Sequence, residues 1–415
     1  MLKTILRIFF LLIFFSLLDA ADVRVGADVL FDEVKYHAQL TGKRIGLITN
    51  QTAINHQFQT TFELLRPYQL VALFTPEHGF YGDVYAEEKI ADTHFDGVVV
   101  HSLYGKTRRP TSEMLKNIDL LIYDIQDIGS RSYTYISTLF YCMEEAAIRN
   151  IPIMVLDRPN PLGGNLVDGP GLEEKWRSFV GYIDVPYCHG MTVGELAQFF
   201  NEEYGVYADL TVVPMKGWRR AMTFKETKLP WIPTSPHIPE ADTAFFYPMT
   251  GVLGELSMMN IGVGYTLPFK IVGAPWINAE KLAASLNAQK LPGVVFSPMH
   301  FRPFFGKFKQ EKCQGVQIII TDFSSALPVT VQYTILGMLK YHYEKEVMLG
   351  FQTLIASKTR KEMFNKLNGT EKILEIITEQ KFFVWKLRDY FRKEREEFLL
   401  RRKKYLIPSY TISGN

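Results

Sequence analysis

From Arg44 to Leu156 the chain repeats one alternation: a short apolar run, a polar or turn-forming cluster, then a helix-like stretch. Five such runs stand at Arg44–Thr49, Leu70–Phe74, Gly97–His101, Asp119–Tyr123 and Ile151–Leu156. Helix-like segments, including Thr60–Arg66, Thr111–Asn117 and Thr134–Asn150, separate them. Runs without polar alternation suit strands buried on both faces, as in parallel sheets covered by their crossover helices. The rhythm predicts an α/β fold with a doubly wound, Rossmann-like parallel sheet.

Every run ends in polar or turn-forming residues. These are Asn50-Gln51; Pro76-Glu77-His78-Gly79; Ser102 with Tyr104-Gly105; Asp124, Gln126, Asp127 and Arg131; and Asp157-Arg158-Pro159-Asn160-Pro161. Open α/β sheets bind ligands outside the carboxyl ends of their strands, so five polar ends on one edge predict a polar pocket. Glu77 and His78 would face that crevice, and a carboxyl group there can be tuned for proton transfer. For any one residue the plain alternative is a turn or cap; the expectation rests on the set.

Absent motifs narrow the chemistry. No G-x-G-x-x-G follows the first run, and no phosphate loop, G-x-S-x-G elbow or H-E-x-x-H occurs. The expectation is therefore no nucleotide, no cofactor and no metal, leaving carboxylate-based acid–base chemistry. A net charge of +2 gives no global field for nucleic acid, and 47% apolar residues exclude a disordered chain. Three scattered cysteines cannot build a disulfide framework or a zinc site, and Cys142 reads as a packed thiol in a helix.

A chain of 415 residues exceeds one typical core, so two domains are expected. Lys3 and Arg7 before the uncharged run Ile8–Leu18 read as an export signal over residues 1–21, with Leu18 imperfect at the cleavage site. Export to the periplasm or cell exterior follows, with tethering if the signal is kept. Residues 22–212 would form the sheet domain. Residues 213–415, rich in Pro and Gly, would form a smaller mixed α/β or partly barrel-like domain completing the cleft. Trp218, Trp231 and Trp276 suit packing more than sugar stacking. Lys381–Tyr405 reads as a charged helix whose basic run, Arg401–Lys404, would be a solvated face or helix-end complement.

Longer blocks carry a more specific signal. They include Gly46-Leu47-Ile48-Thr49-Asn50-Gln51-Thr52, Pro76-Glu77-His78-Gly79, Asp124-Ile125-Gln126-Asp127-Ile128-Gly129-Ser130-Arg131 and Tyr133-Thr134-Tyr135. Leu156-Asp157-Arg158-Pro159-Asn160-Pro161, His189-Gly190-Met191-Thr192, Glu255 and Gly273-Ala274-Pro275-Trp276 follow in order. From about residue 25 to 407 the chain resembles the NamZ-type exo-β-N-acetylmuramidases. The resemblance implies a cleft between the two domains and a peptidoglycan-derived saccharide as substrate. The implied reaction removes a terminal, non-reducing β-1,4-linked N-acetylmuramic acid.

Glycoside hydrolysis needs an acid for the leaving oxygen and a group that captures or stabilises the oxocarbenium-like centre. Carried over, Glu77 is the leading acid. Asp124 or Asp127 would supply the second carboxylate, unless the substrate's own N-acetyl group is the nucleophile. Asn50, His78, Arg131, Tyr133, Arg158, Asn160, His189 and Glu255 are the candidate substrate-binding residues. Two positions depart from the family pattern: Val263 stands where an Arg is usual, and His237 where an Asn is usual. An Arg at the first would pair with the lactyl carboxylate of muramic acid. That departure motivates an alternative from another class, an exported muropeptide- or carbohydrate-binding protein without turnover. Glu77, Asp124 and Asp127 speak against it, because a binder has no need of an acid. An esterase or amidase would lack both nucleophile elbow and metal ligands.

Overall fold

The computed structural model describes residues 22–85, 88 and 91–411; the expected export signal, residues 1–21, lies outside them. Strands β1 (Arg44–Thr49), β2 (Gln69–Thr75), β3 (Thr93–Phe95), β4 (Val98–Ser102), β5 (Leu120–Asp124), β6 (Ile153–Leu156) and β7 (Leu210–Val213) form one sheet. Its order is β3-β4-β2-β1-β5-β6-β7. All neighbours are parallel except β3, which pairs antiparallel with β4 at the edge. The five expected strands are all present. β3 and β7 were not anticipated, because β3 is three residues long and neither is buried on both faces.

Strand order runs outward from β1 in both directions, so the topological switch lies between β1 and β5. Thr49 pairs with Asp124 there, which brings Asn50 and the segment after Asp124 level at the carboxyl edge. Alternate residues of each strand feed opposite cores. Ile48, Phe74, Leu121, Tyr123 and Val155 meet helix α2 (Tyr135–Ile148) through Ile136, Leu139, Phe140 and the buried Cys142. Ile45, Leu47, Leu73, Ile122 and Leu156 meet helix α1 (Gly26–Asp32) through Val29 and Leu30. α1 can approach β6 because its first residue is glycine: a Cβ on Gly26 would lie 2.3 Å from the Asp157 nitrogen.

Helix α3 (Val193–Glu203) completes the sheet unit, and α4 (Thr243–Glu255) opens the second half. There β8 (Ile271–Ala274), β9 (Val294–Phe301) and β10 (Cys313–Ile320) make an antiparallel sheet in the order β8-β10-β9, an open sheet rather than a barrel. Helix α5 (Ala279–Asn287) packs on β9 and β10, α6 (Pro328–His342) on α4 and α5, α7 (Lys358–Asn368) on α4, and α8 (Val384–Arg401) on α6. α8 buries Leu387, Phe391 and Phe398. In the basic run at its end Lys403 and Lys404 are exposed, as a solvated face requires, and Arg402 alone departs from that expectation. Arg402 is buried and donates to the carbonyls of Gly164 (3.0 Å), His189 (3.1 Å) and Gly190 (2.6 Å). Buried carbonyls need donors, and a guanidinium serves several at once. Trp218 is buried against Tyr410, Trp231 packs on Phe224 and Trp276 on Tyr343, all as packing groups.

Candidate active site

β2 ends in buried residues, and the chain then reverses through Pro76–Gly79, closed by the Gly79 N–H donating to the Pro76 carbonyl (3.1 Å). His78 takes the third position with φ 71°, the left-handed region that non-glycine residues rarely occupy. Its ring Nδ1 lies 2.7 Å from the Val84 carbonyl, which holds the turn. The turn directs Glu77 at the first residues of α2, where Thr134 Oγ1 donates to Glu77 Oε2 (2.6 Å). Glu77 is 9% exposed, a carboxyl in a nearly closed crevice.

After β5 the chain supplies two aspartates in different states. Asp124 is fully buried, and both its oxygens are taken. Arg158 Nε donates to Oδ1 and Arg158 Nη2 to Oδ2 (2.9 Å), while Thr61 Oγ1 also donates to Oδ2. Arg158 Nη2 further donates to the Ile54 carbonyl (2.9 Å). Asp127 has one oxygen engaged: the Gly129 N–H donates to Oδ2 (2.7 Å). Its Oδ1 is buried and has no partner among the described residues. Burial, only partly offset by the Gly129 and Ile128 amides, pushes its carboxyl up to about 7.

Hydroxyls and aromatic rings wall the crevice. Ser132 Oγ donates to the Tyr187 hydroxyl (2.7 Å) and lies 3.2 Å from that of Tyr247, which comes from α4. Tyr133 donates to Thr234 Oγ1 (2.9 Å), and Gln51 Nε2 donates to the Pro233 carbonyl (2.8 Å). The strap 233–237 is thereby tied to the sheet edge, and burial, with His78 nearby, lowers the His237 imidazole. Tyr247 feels both Glu77 and Glu255, and burial pushes its phenol up to about 12. Beyond Tyr247 opens a cavity of about 350 Å³ lined by Glu255, Asn260, Val263 and Lys307. A second cavity, about 620 Å³, lies beside Asn50 among Phe62, Phe80 and Phe95. Its acidic residues, Glu63 and Asp96, are engaged by Thr60 and Arg66.

Residues 45–242 match the family described as exo-beta-N-acetylmuramidase NamZ, N-terminal, and residues 245–407 its C-terminal counterpart. The chain belongs to the NamZ family. This is a family of glycosidases, and its two matched parts meet at the crevice just described. The chain is 43% identical over 391 residues to the peptidoglycan beta-N-acetylmuramidase NamZ of Bacillus subtilis (strain 168), covering 93% of this chain and 91% of that one. Among solved structures it resembles two DUF1343 family proteins of Bacteroides fragilis. One has a TM-score of 0.86 at 44% identity, covering 93% of this chain and 99% of the other. The second has a TM-score of 0.69 at 27% identity, covering 95% and 100%.

In this NamZ-family chain the remaining candidate residues divide by their partners. Arg131 is fully buried and donates to the carbonyls of Pro170 (2.7 Å), Val185 (2.6 Å) and Leu367 (3.1 Å), joining the sheet unit to α7. Burial lowers its guanidinium to about 10. Asn160 donates to the Met191 carbonyl (3.0 Å) and accepts from the Leu162 N–H (3.0 Å), so its amide fixes loops. His189 accepts from the Met191 N–H (3.2 Å); burial, with Arg402 and Arg131 nearby, lowers its imidazole to about 3 and keeps it neutral. Asn50 Oδ1 accepts from Thr52, while its buried Nδ2 has no partner among the described residues. The structure thus brings Glu77, His78, Tyr133 and Glu255 around Tyr135 and Tyr247, while Asp127 is buried in the loop after β5, held by the Gly129 N–H. Asp124, Arg131, Arg158, Asn160 and His189 lie in the supporting framework. Sequence reasoning missed Ser132, Thr134, Tyr247 and Lys307. Thr134 was foreshadowed by the Tyr133-Thr134-Tyr135 block, whereas nothing local marks Tyr247, whose contacts with Ser132 and Tyr133 span more than a hundred residues.

Proposed function

We propose that this chain is an exported exo-acting β-N-acetylmuramidase that releases terminal, non-reducing β-1,4-linked N-acetylmuramic acid from peptidoglycan fragments, with Glu77 as general acid. The observation that carries the assignment is Glu77 itself, a nearly buried carboxyl on a strained turn at the carboxyl edge of the sheet, with the Thr134 hydroxyl donating to it. Glu77 protonates the glycosidic oxygen as the bond to the anomeric carbon breaks, and a water then adds to that carbon to form the free sugar, its second proton returning to a site carboxylate. Asp127 is the second carboxylate. Its buried Oδ1 has no partner among the described residues, and in this reading it serves the oxocarbenium-like centre, directly or by orienting the acetamido group. Glu255 accepts from sugar hydroxyls in the cavity beyond Tyr247. Asp124 and Arg158 position the loop after β5 and do not touch substrate.

A chromogenic aryl β-N-acetylmuraminide tests this reading. Release of the aryl alcohol together with free N-acetylmuramic acid supports it; binding of the glycoside without release would identify a carbohydrate-binding protein instead. Export rests on Lys3, Arg7 and Ile8–Leu18, and full-length protein confined to the cytosol on fractionation would overturn it.

A further inference from the structure

We propose that Lys307 is the specificity residue that receives the anionic side group of the substrate sugar; this rests on the muramidase reading above. The cavity beyond Tyr247 is lined mainly by apolar and aromatic groups, among them Val252, Ile261, Val263 and Phe269. Lys307 is the one cation among its described lining residues, and Glu255 the one anion. No ion pair engages Lys307 among the described residues; its ammonium lies over the Phe308 ring, 4.7 Å from the centroid. Its backbone position is fixed. Asn260 Nδ2 donates to the carbonyls of Val263 (3.2 Å) and Lys307 (2.9 Å), and Asn260 Oδ1 accepts from the Gly262 N–H (2.8 Å). A single amide therefore clamps the Lys307 segment beside that of Val263, at the cavity wall.

N-acetylmuramic acid differs from N-acetylglucosamine by a lactyl ether that ends in a carboxylate. Moving that carboxylate from water into a largely apolar cavity is unfavourable unless a cation meets it there. A lysine ammonium on a flexible stem can swing from an aromatic face to a carboxylate, exchanging a weak cation–π contact for a charge-assisted hydrogen bond. Glu255 in the same cavity repels the carboxylate and leaves the Lys307 side as its favourable place. Lys307 thus selects for the charge of the sugar and takes no part in bond cleavage.

The test compares an aryl β-N-acetylmuraminide with its lactyl methyl ester, which keeps the shape and loses the charge. The wild-type enzyme should prefer the carboxylate, and Lys307→Met should reduce that preference by about 10–100-fold, the range for losing a charge-assisted hydrogen bond. The loss should appear mainly in KM on the carboxylate, with Lys307→Arg restoring most of it. Undiminished preference in Lys307→Met would overturn the assignment. A wild-type chain that releases no aryl alcohol would refute the glycosidase reading instead. Calorimetric binding of free N-acetylmuramic acid then decides for Lys307: weakening by Lys307→Met supports it, and equal binding overturns it.

Discussion

Asp124 and Asp127 are three residues apart, yet the structure predicts opposite consequences for the same substitution. In Asp124→Asn the amide keeps the shape but removes the charge facing Arg158, a residue only 4% exposed that donates twice to that carboxylate. One amide oxygen cannot replace two carboxylate oxygens serving Arg158 and Thr61, and the new NH₂ is directed at a donor. Removing one partner of a buried ion pair costs about 3–5 kcal/mol. In Asp127→Asn the single Gly129 N–H bond survives on the amide oxygen, and a buried charge is removed. Stability should then change by no more than about 1 kcal/mol. Activity should run the other way: Asp127→Asn should lose turnover while remaining folded. Because the Asp127 carboxyl titrates near 7, the acid limb it imposes on wild-type kcat/KM should vanish from the residual activity. Denaturant midpoints for both variants, with pH–rate profiles on an aryl muraminide, test the pair. A fully stable but inactive Asp124→Asn, or an active Asp127→Asn with an unchanged profile, would refute the division of roles.

Two further outcomes follow from the framework. Gly129 has φ 81°, and a Cβ there would lie 2.2 Å from Asn160 Oδ1, so Gly129→Ala should dislodge the loop that carries Asp127. The expected loss is about 2 kcal/mol or more, with activity falling over tenfold; wild-type stability and turnover would contradict it. Asp157 accepts from the Gly194 N–H, Thr192 and Tyr410, yet burial above all raises its carboxyl to about 7. An acid raised on folding contributes stability that is complete below its unfolded value, near 3.8, and is lost as pH rises through about 7. Thermal unfolding of the wild type should therefore weaken across that window by at most about 1.4 kcal/mol per pH unit from this group, and Asp157→Asn should flatten the slope.

Much of the fold was legible in sequence because its signals are local. Each of the five central strands is an apolar run with a polar stop, and the run order alone placed Glu77 and Asp124 on one edge. β3 escaped because it is an exposed edge strand of three residues. Within the site, residue type was legible and role was not. Asp124 and Asp127, or Arg131 and Lys307, differ only in what the fold brings against them. Arg131 meets the Leu367 carbonyl across 236 residues, and Tyr247 meets Ser132 across 115. No local pattern encodes such pairings. The basic stretch Arg401–Lys404 shows the same limit, since the carbonyls that Arg402 serves belong to Gly164, His189 and Gly190.

The central claim is that Glu77 carries the proton, and Glu77→Gln tests it most directly. The amide can still accept from Thr134 Oγ1, so the turn and its crevice should persist and the variant should unfold like the wild type. General acids typically contribute about 10²–10⁴-fold, so turnover of a natural disaccharide should fall by that order. The loss should be smaller with an activated aryl leaving group, which departs with less protonation. A folded Glu77→Gln variant that cleaves the natural disaccharide at near-normal rate would contradict the account.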